Sequence, residues 1–88
     1  MHKWTDQECE TVCSVFKAEF VNSNNSLKSA IVKIKTLCPD LKESSIGMKI
    51  FNTIYLCDEF EIEHNCEGKP LEHYSQQHLQ AFKKVFGV

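Results

Sequence analysis

The amino-acid sequence predicts an all-α protein, a compact four-helix domain with a helix-turn-helix-like core. Two observations predict it. Apolar residues recur every three or four positions in four separate stretches, most of them bracketed by a capping residue and a breaker. The chain has 88 residues, 42% apolar and 25% charged, which suits one small soluble core. No internal repeat, low-complexity tract or long linker divides it.

The first helix is announced by Thr5-Asp6-Gln7-Glu8, a capping box in which threonine and glutamate satisfy each other's backbone N–H groups. Trp4 and Cys9 are placed to staple its start. Cys9, Val12, Cys13, Phe16 and Phe20 form its apolar stripe, and the helix is expected to reach about Val21. Asn22-Ser23-Asn24-Asn25 ends it as a polar turn. A second helix starts at Ser26, with Leu27, Ala30, Ile31, Ile34, Leu37 and Cys38 inward and Lys28, Lys35 and Val32 on open faces. Pro39 stops it, and Leu41 is expected to plug the core from the connection.

The third helix holds Ile46, Ile50 and Ile54 at four-residue steps, one above another. Ser44 or Ser45 is its expected N-cap. Ser45, Lys49 and Asn52 fall together on the other side, with Thr53 and Leu56 at the edges of that strip. Residues 58–63 alternate acid with apolar, as a frayed helix end or a short extended piece would. After a turn at Glu67-Gly68-Lys69-Pro70, Ser75 caps a last helix. Leu79, Phe82 and Phe86 share one side, Tyr74 is a staple onto Leu79, and Gly87 is the C-cap.

Net charge is −2, unevenly spread: residues 27–57 carry +3, while the segments before and after carry −2 and −3. All ten cations are lysine. The longest apolar run is too short to span a membrane, and the N-terminus lacks a signal-peptide core, so a cytoplasmic location is expected. Eighty-eight residues stand equally as a small protein or as the N-terminal module of a longer one.

Five cysteines, four at apolar helical positions, read as buried hydrophobes in a reducing compartment. His64-x-Cys66 and the pair His73 and His78 match no zinc spacing, and the acids of 58–67 lack the order of a calcium loop. No metal or cofactor is expected. A phosphate-binding glycine loop and the common hydrolase signatures are missing from the sequence. The imaginable nucleophile pairs, Cys66 with His64 and Cys57 with His73, would need a water-excluding cleft that so small a core rarely builds. No enzymatic activity is expected.

Binding remains. A polar connection joins the second helix to a third whose start carries two serines, the outline of a helix-turn-helix, though longer than its usual 3–4-residue turn. Ser44, Ser45 and the first-turn N–H groups could hold a phosphate. Lys49 could reach a phosphate or a guanine edge, Asn52 could pair with adenine, and Thr53 borders them. Lys28, Lys35 and Lys42 would flank this surface with salt-dependent contacts. The same residues also suit an ordinary helix cap and a solvated helix face. Residues alone leave duplex DNA and a protein partner equally open, the latter through the acidic stretch 58–67 or through Val32.

Two stretches carry a resemblance: Trp4-Thr5-Asp6-Gln7-Glu8, and Ser44-Ser45-Ile46-x-Met48-Lys49-Ile50-x-Asn52-x-x-Tyr55-Leu56. Over roughly residues 4–57 the chain resembles small helical domains that precede HNH- and GIY-YIG-type endonuclease domains in phages and other mobile elements. A similar domain would place a mobile-element replication initiator on origin repeats. The resemblance implies sequence-specific binding of double-stranded DNA through Ser44, Ser45, Lys49 and Asn52. Members often carry a basic residue where this chain has Gly47. With so little positive charge, a homodimer on repeated or palindromic sites is expected, the alternative being a small acidic inhibitor or adaptor that binds protein.

Overall fold

The computed structural model describes residues 2–88. It is all-α: α1 (Asp6–Phe16), α2 (Leu27–Leu37), α3 (Glu43–Glu59) and α4 (Gln76–Phe86). Three caps sit where the sequence puts them. The Thr5–Glu8 box is closed on both sides, Ser26 accepts from the Ser29 N–H, and Ser75 accepts from the His78 N–H. Gly87 ends α4 in the left-handed conformation that glycine adopts without strain.

Cys9, Val12, Cys13 and Phe16 are fully buried along α1. The helix then widens into one π turn, Lys17–Val21, in which the Asn22 N–H bonds back to the Lys17 carbonyl. This turn buries both Glu19 and Phe20. Burial alone would raise the Glu19 pKa, but Asn25 Nδ2 at 2.7 Å, Lys33 Nζ at 3.1 Å and Ser29 Oγ at 3.1 Å outweigh it and hold the carboxyl below its usual range. The Glu19 carboxylate thus ties the end of the first helix to the start of α2.

Leu41 is buried as expected. Leu37 is not: it is 65% exposed at the last position of α2. On α4 the fully inward side chains are His78, Ala81 and Phe82, whereas Leu79 and Phe86 lie at the margin of the core.

α1 and α4 run side by side in the same direction. Gln77 Nε2, in the first turn of α4, donates to the Trp4 carbonyl and to Asp6. Farther along, Lys84 pairs with Glu10, and Lys17 Nζ donates to the Val85 carbonyl. α4 also starts beside the second turn of α3, where Lys49 Nζ lies 3.5 Å from Ser75 Oγ. A parallel neighbour needs a connection that returns along α3, here from Glu59 to the level of Lys49, about 15 Å at the helical rise. Residues 60–75 make that return as an extended strap. Its hydrogen bonds follow α3 backwards, from Ile62 N–H on the Cys57 carbonyl to Leu71 N–H on the Phe51 carbonyl.

The strap begins at a helix stop. Glu61 N–H bonds to the Asp58 carbonyl and Ile62 N–H to the Cys57 carbonyl, with Glu61 left-handed at φ 56°. This is a Schellman ending with glutamate at the position where glycine is usual. Glu61 is exposed, so Glu61→Gly is expected to relieve strain without losing packing. A gain of about 1 kcal/mol is expected, raising the melting temperature by roughly 4–8 °C in a thermal melt.

Candidate nucleic-acid interface

α3 starts two to three residues earlier than its serines suggest. Lys42 is the N-cap and offers no side-chain bond, so Ser44 and Ser45 stand inside the first turn rather than capping it. The connection explains this. Lys35 Nζ donates to the Pro39 carbonyl at 2.9 Å and to the Leu41 carbonyl, which closes residues 38–42 into a tight turn that ends at Lys42. Lys35 is therefore a brace of the connection and not a flanking contact.

The strip expected to face a ligand divides in two. Its lower half is interior. Asn52 is 4% exposed, and its Nδ2 donates to the Leu71 carbonyl at 2.7 Å and the His73 carbonyl at 3.3 Å. The expected adenine contact is thereby replaced by an anchor for the strap. Thr53 is fully buried and donates to the Lys49 carbonyl at 2.8 Å. Leu56 is buried too. The strap covers Asn52 and α4 covers Thr53, because α3 and α4 are parallel.

Thr53 Oγ1 also lies 2.9 Å from His78 Nε2, with Cys13 Sγ at 3.8 Å from the same nitrogen. The hydroxyl's single proton is committed to the Lys49 carbonyl, so Nε2 carries the ring proton and donates to Oγ1. Nδ1 is then a bare lone pair, buried without a partner. Burial, with the Lys49 charge added, pushes the ring's pKa down to about 3.

The strip's upper residues, Ser45 and Lys49, are half-buried, and the open surface at the start of α3 lies beside them. Ser44 is exposed, Met48 is 57% exposed, and a side chain at Gly47 would meet nothing within 4 Å. The backbone N–H groups of Glu43, Ser44 and Ser45 belong to the first turn, where helix geometry leaves donors without an intrahelical acceptor. Lys42 is exposed beside them. Lys49 Nζ lies 5.1 Å over the Trp4 ring and so is held between α1's entry and α4's cap. Trp4 divides two shallow grooves, one containing Ser45, Met48, Lys49 and His73, the other His2, Asp40 and Lys42. Asp40 and Glu43 offset part of the positive charge here. Lys28 is exposed at the far end of α2, about 14 Å along the helix from the connection, so it is not gathered with the others.

The imagined nucleophiles lie elsewhere. Burial pushes the Cys57 thiol up to about 12 and the Cys66 thiol up to about 11, so both are protonated at neutral pH. Among the described residues no three histidine, cysteine or acidic side chains converge as metal ligands, and no helix is long and apolar enough to cross a membrane.

Trp4 as the platform under Lys49, and Met48 as the exposed large apolar side chain of α3, were not singled out from the sequence. The step from Ser44 to Met48 on one face is the signal that would have found the second. Compared with protein-family models, with curated proteins and with solved structures, the chain matches none.

Proposed function

We propose that this chain binds double-stranded DNA, without catalysis of its own, by setting the first two turns of α3 in the major groove. The observation that supports this reading is that α3 is open to solvent along its start and covered along most of the rest. A recognition helix needs just its N-terminal residues free to meet base edges. Ser44, Ser45 and the first-turn N–H groups receive a phosphate, and Lys42 stands beside them for a second. Lys28 can meet the backbone farther along. Asn52 and Thr53 leave the contact set. So small a charge makes a single copy weak, and two copies on a repeated site double the phosphate contacts. The resemblance to domains ahead of nucleases and in replication initiators supports the same reading, with the module delivering such a function to its site.

The test is selection of duplexes from a random pool at low salt, followed by anisotropy titrations over a salt series. Lys42→Ala is expected to reduce the slope of log K against log salt by about 0.9 per copy, the value for one lost phosphate contact. If no duplex is bound in a salt-dependent way, the reading fails.

A second reading is supported by Val32 and Leu37, 55% and 65% exposed on α2, a helix without an acidic residue. These side chains suit a protein partner. A stoichiometric partner lost on Leu37→Asp, in a chain that binds no duplex, would favour it.

A further inference from the structure

We propose that α3 recognises the C5-methyl group of thymine, so that the chain takes A·T-containing sites whose affinity depends on that methyl. The inference rests on the DNA-binding reading above and specifies what the open helix face can distinguish.

The argument runs through the base-edge chemistry left on that face. The chain has no arginine, which leaves lysine as the one side chain able to take a guanine edge in the bidentate way. The Asn52 amide, the adenine reader of the strip, donates to the strap carbonyls of Leu71 and His73 instead. Lys49 Nζ is held between the Trp4 ring and Ser75. Lys42 and Glu43 stand at the very end of the helix, the part that meets the backbone before any base. The Ser44 hydroxyl serves any base, because it both donates and accepts.

What points outward from the second turn is Gly47 and Met48. Glycine with open space at its Cβ position lets the edges of the bases approach the helix backbone closely. Met48, 57% exposed, presents a flexible, polarisable apolar chain beside it. The thymine methyl is the one apolar feature on the major-groove edges, and an apolar side chain is its matching partner. Burying one methyl is worth about 0.8 kcal/mol, or roughly fourfold in Kd.

Uracil-substituted DNA removes this group and keeps every hydrogen-bonding atom of the edge. Selected duplexes are therefore resynthesised with deoxyuridine for thymidine and titrated by anisotropy against the wild type, Met48→Ala and Met48→Leu. Met48 is exposed, so both variants are expected to fold, which circular dichroism checks. The wild type is expected to bind uracil duplexes about fourfold more weakly for each methyl it touches. Met48→Ala is expected to bind both duplexes alike, near the wild type's uracil value, and Met48→Leu to keep the discrimination. Equal wild-type affinity for both duplexes, with salt dependence intact, overturns the methyl proposal and leaves DNA binding standing. The same holds if Met48→Ala still discriminates between them. Absence of any duplex binding, including the case in which Met48 proves to hold a protein partner, overturns both.

Discussion

Asn52→Ala is expected to lower the melting temperature by about 10–20 °C. The wild-type amide holds two strap carbonyls from a position 4% exposed. Alanine leaves both carbonyls without that donor and opens a small cavity, a loss of about 2–3 kcal/mol. For a domain of this size each kcal/mol moves the midpoint by roughly 4–8 °C. Asn52→Asp should be worse, because an ionised carboxylate donates nothing and faces two carbonyl oxygens. The freed strap supplies a second readout, faster limited proteolysis within residues 61–75. A side chain that served mainly to touch DNA would behave in the opposite way, with unchanged melting and weaker binding. A melt within about 2 °C of the wild type, a fifth of the smallest shift expected here, would return Asn52 to the contact surface.

The second large effect is acid sensitivity centred on His78. In the folded chain its pKa is lowered to about 3, first by burial and then by the charge of Lys49. In the unfolded chain it returns to about 6.5. Between these values the unfolded state holds a proton that the folded state refuses, so stability rises with pH across the window. It is complete above about 6.5 and declines by about 1.4 kcal/mol for each unit of acidification below it. The groups facing the ring are Cys13 from α1 and Thr53 from α3, with Lys49 the nearby charge, and none of them is an acid able to stabilise an imidazolium.

The carboxyls of Glu8 and Glu19 also lose stabilising bonds on protonation, but their lowered pKa values put that loss below about 4.5. The interval from pH 6.5 to 5 therefore separates His78 from these carboxyls, and comparison with His78→Leu separates it from the other histidines. Urea melts at those two values are expected to differ by about 2 kcal/mol in the wild type and by much less in His78→Leu. Leucine leaves the Thr53 bond to Lys49 in place and removes the unpartnered nitrogen. An equal pH dependence in both proteins would mean that another group is responsible.

How much of this was legible in the sequence depended on how local its cause is. Thr5, Ser26, Ser75 and Gly87 act on backbone groups within four residues, and each caps the helix end expected of it. The isoleucine ladder Ile46, Ile50 and Ile54 fixed the inward phase of α3, and all three are buried. The start of that helix depends on Lys35 reaching two carbonyls of the connection, a bond that no periodicity contains. Asn52 and Thr53 show the same limit in the site. A helical wheel tells which side they occupy, but the cover comes from residues 71–78, about 20 positions away. His78 could have been read, since it stands four residues before Phe82 on one face. Glu19 could not, because the π turn that aims it inward has no counterpart in a 3.6-residue pattern.

The parallel pairing of α1 with α4 has a consequence for how the chain acquires its structure during synthesis. The first helix to leave the ribosome carries Cys9, Val12, Cys13 and Phe16, and much of their cover arrives with Phe82 and its neighbours, the last to emerge. Contacts that join the two ends of a chain incur the largest loop-closure entropy and are the slowest to form. At 5–20 residues per second, the apolar stripe of α1 waits several seconds for its partner. Nascent chains arrested before α4 should thus remain unfolded and available to chaperones, and the domain should close in one cooperative step once α4 clears the exit tunnel.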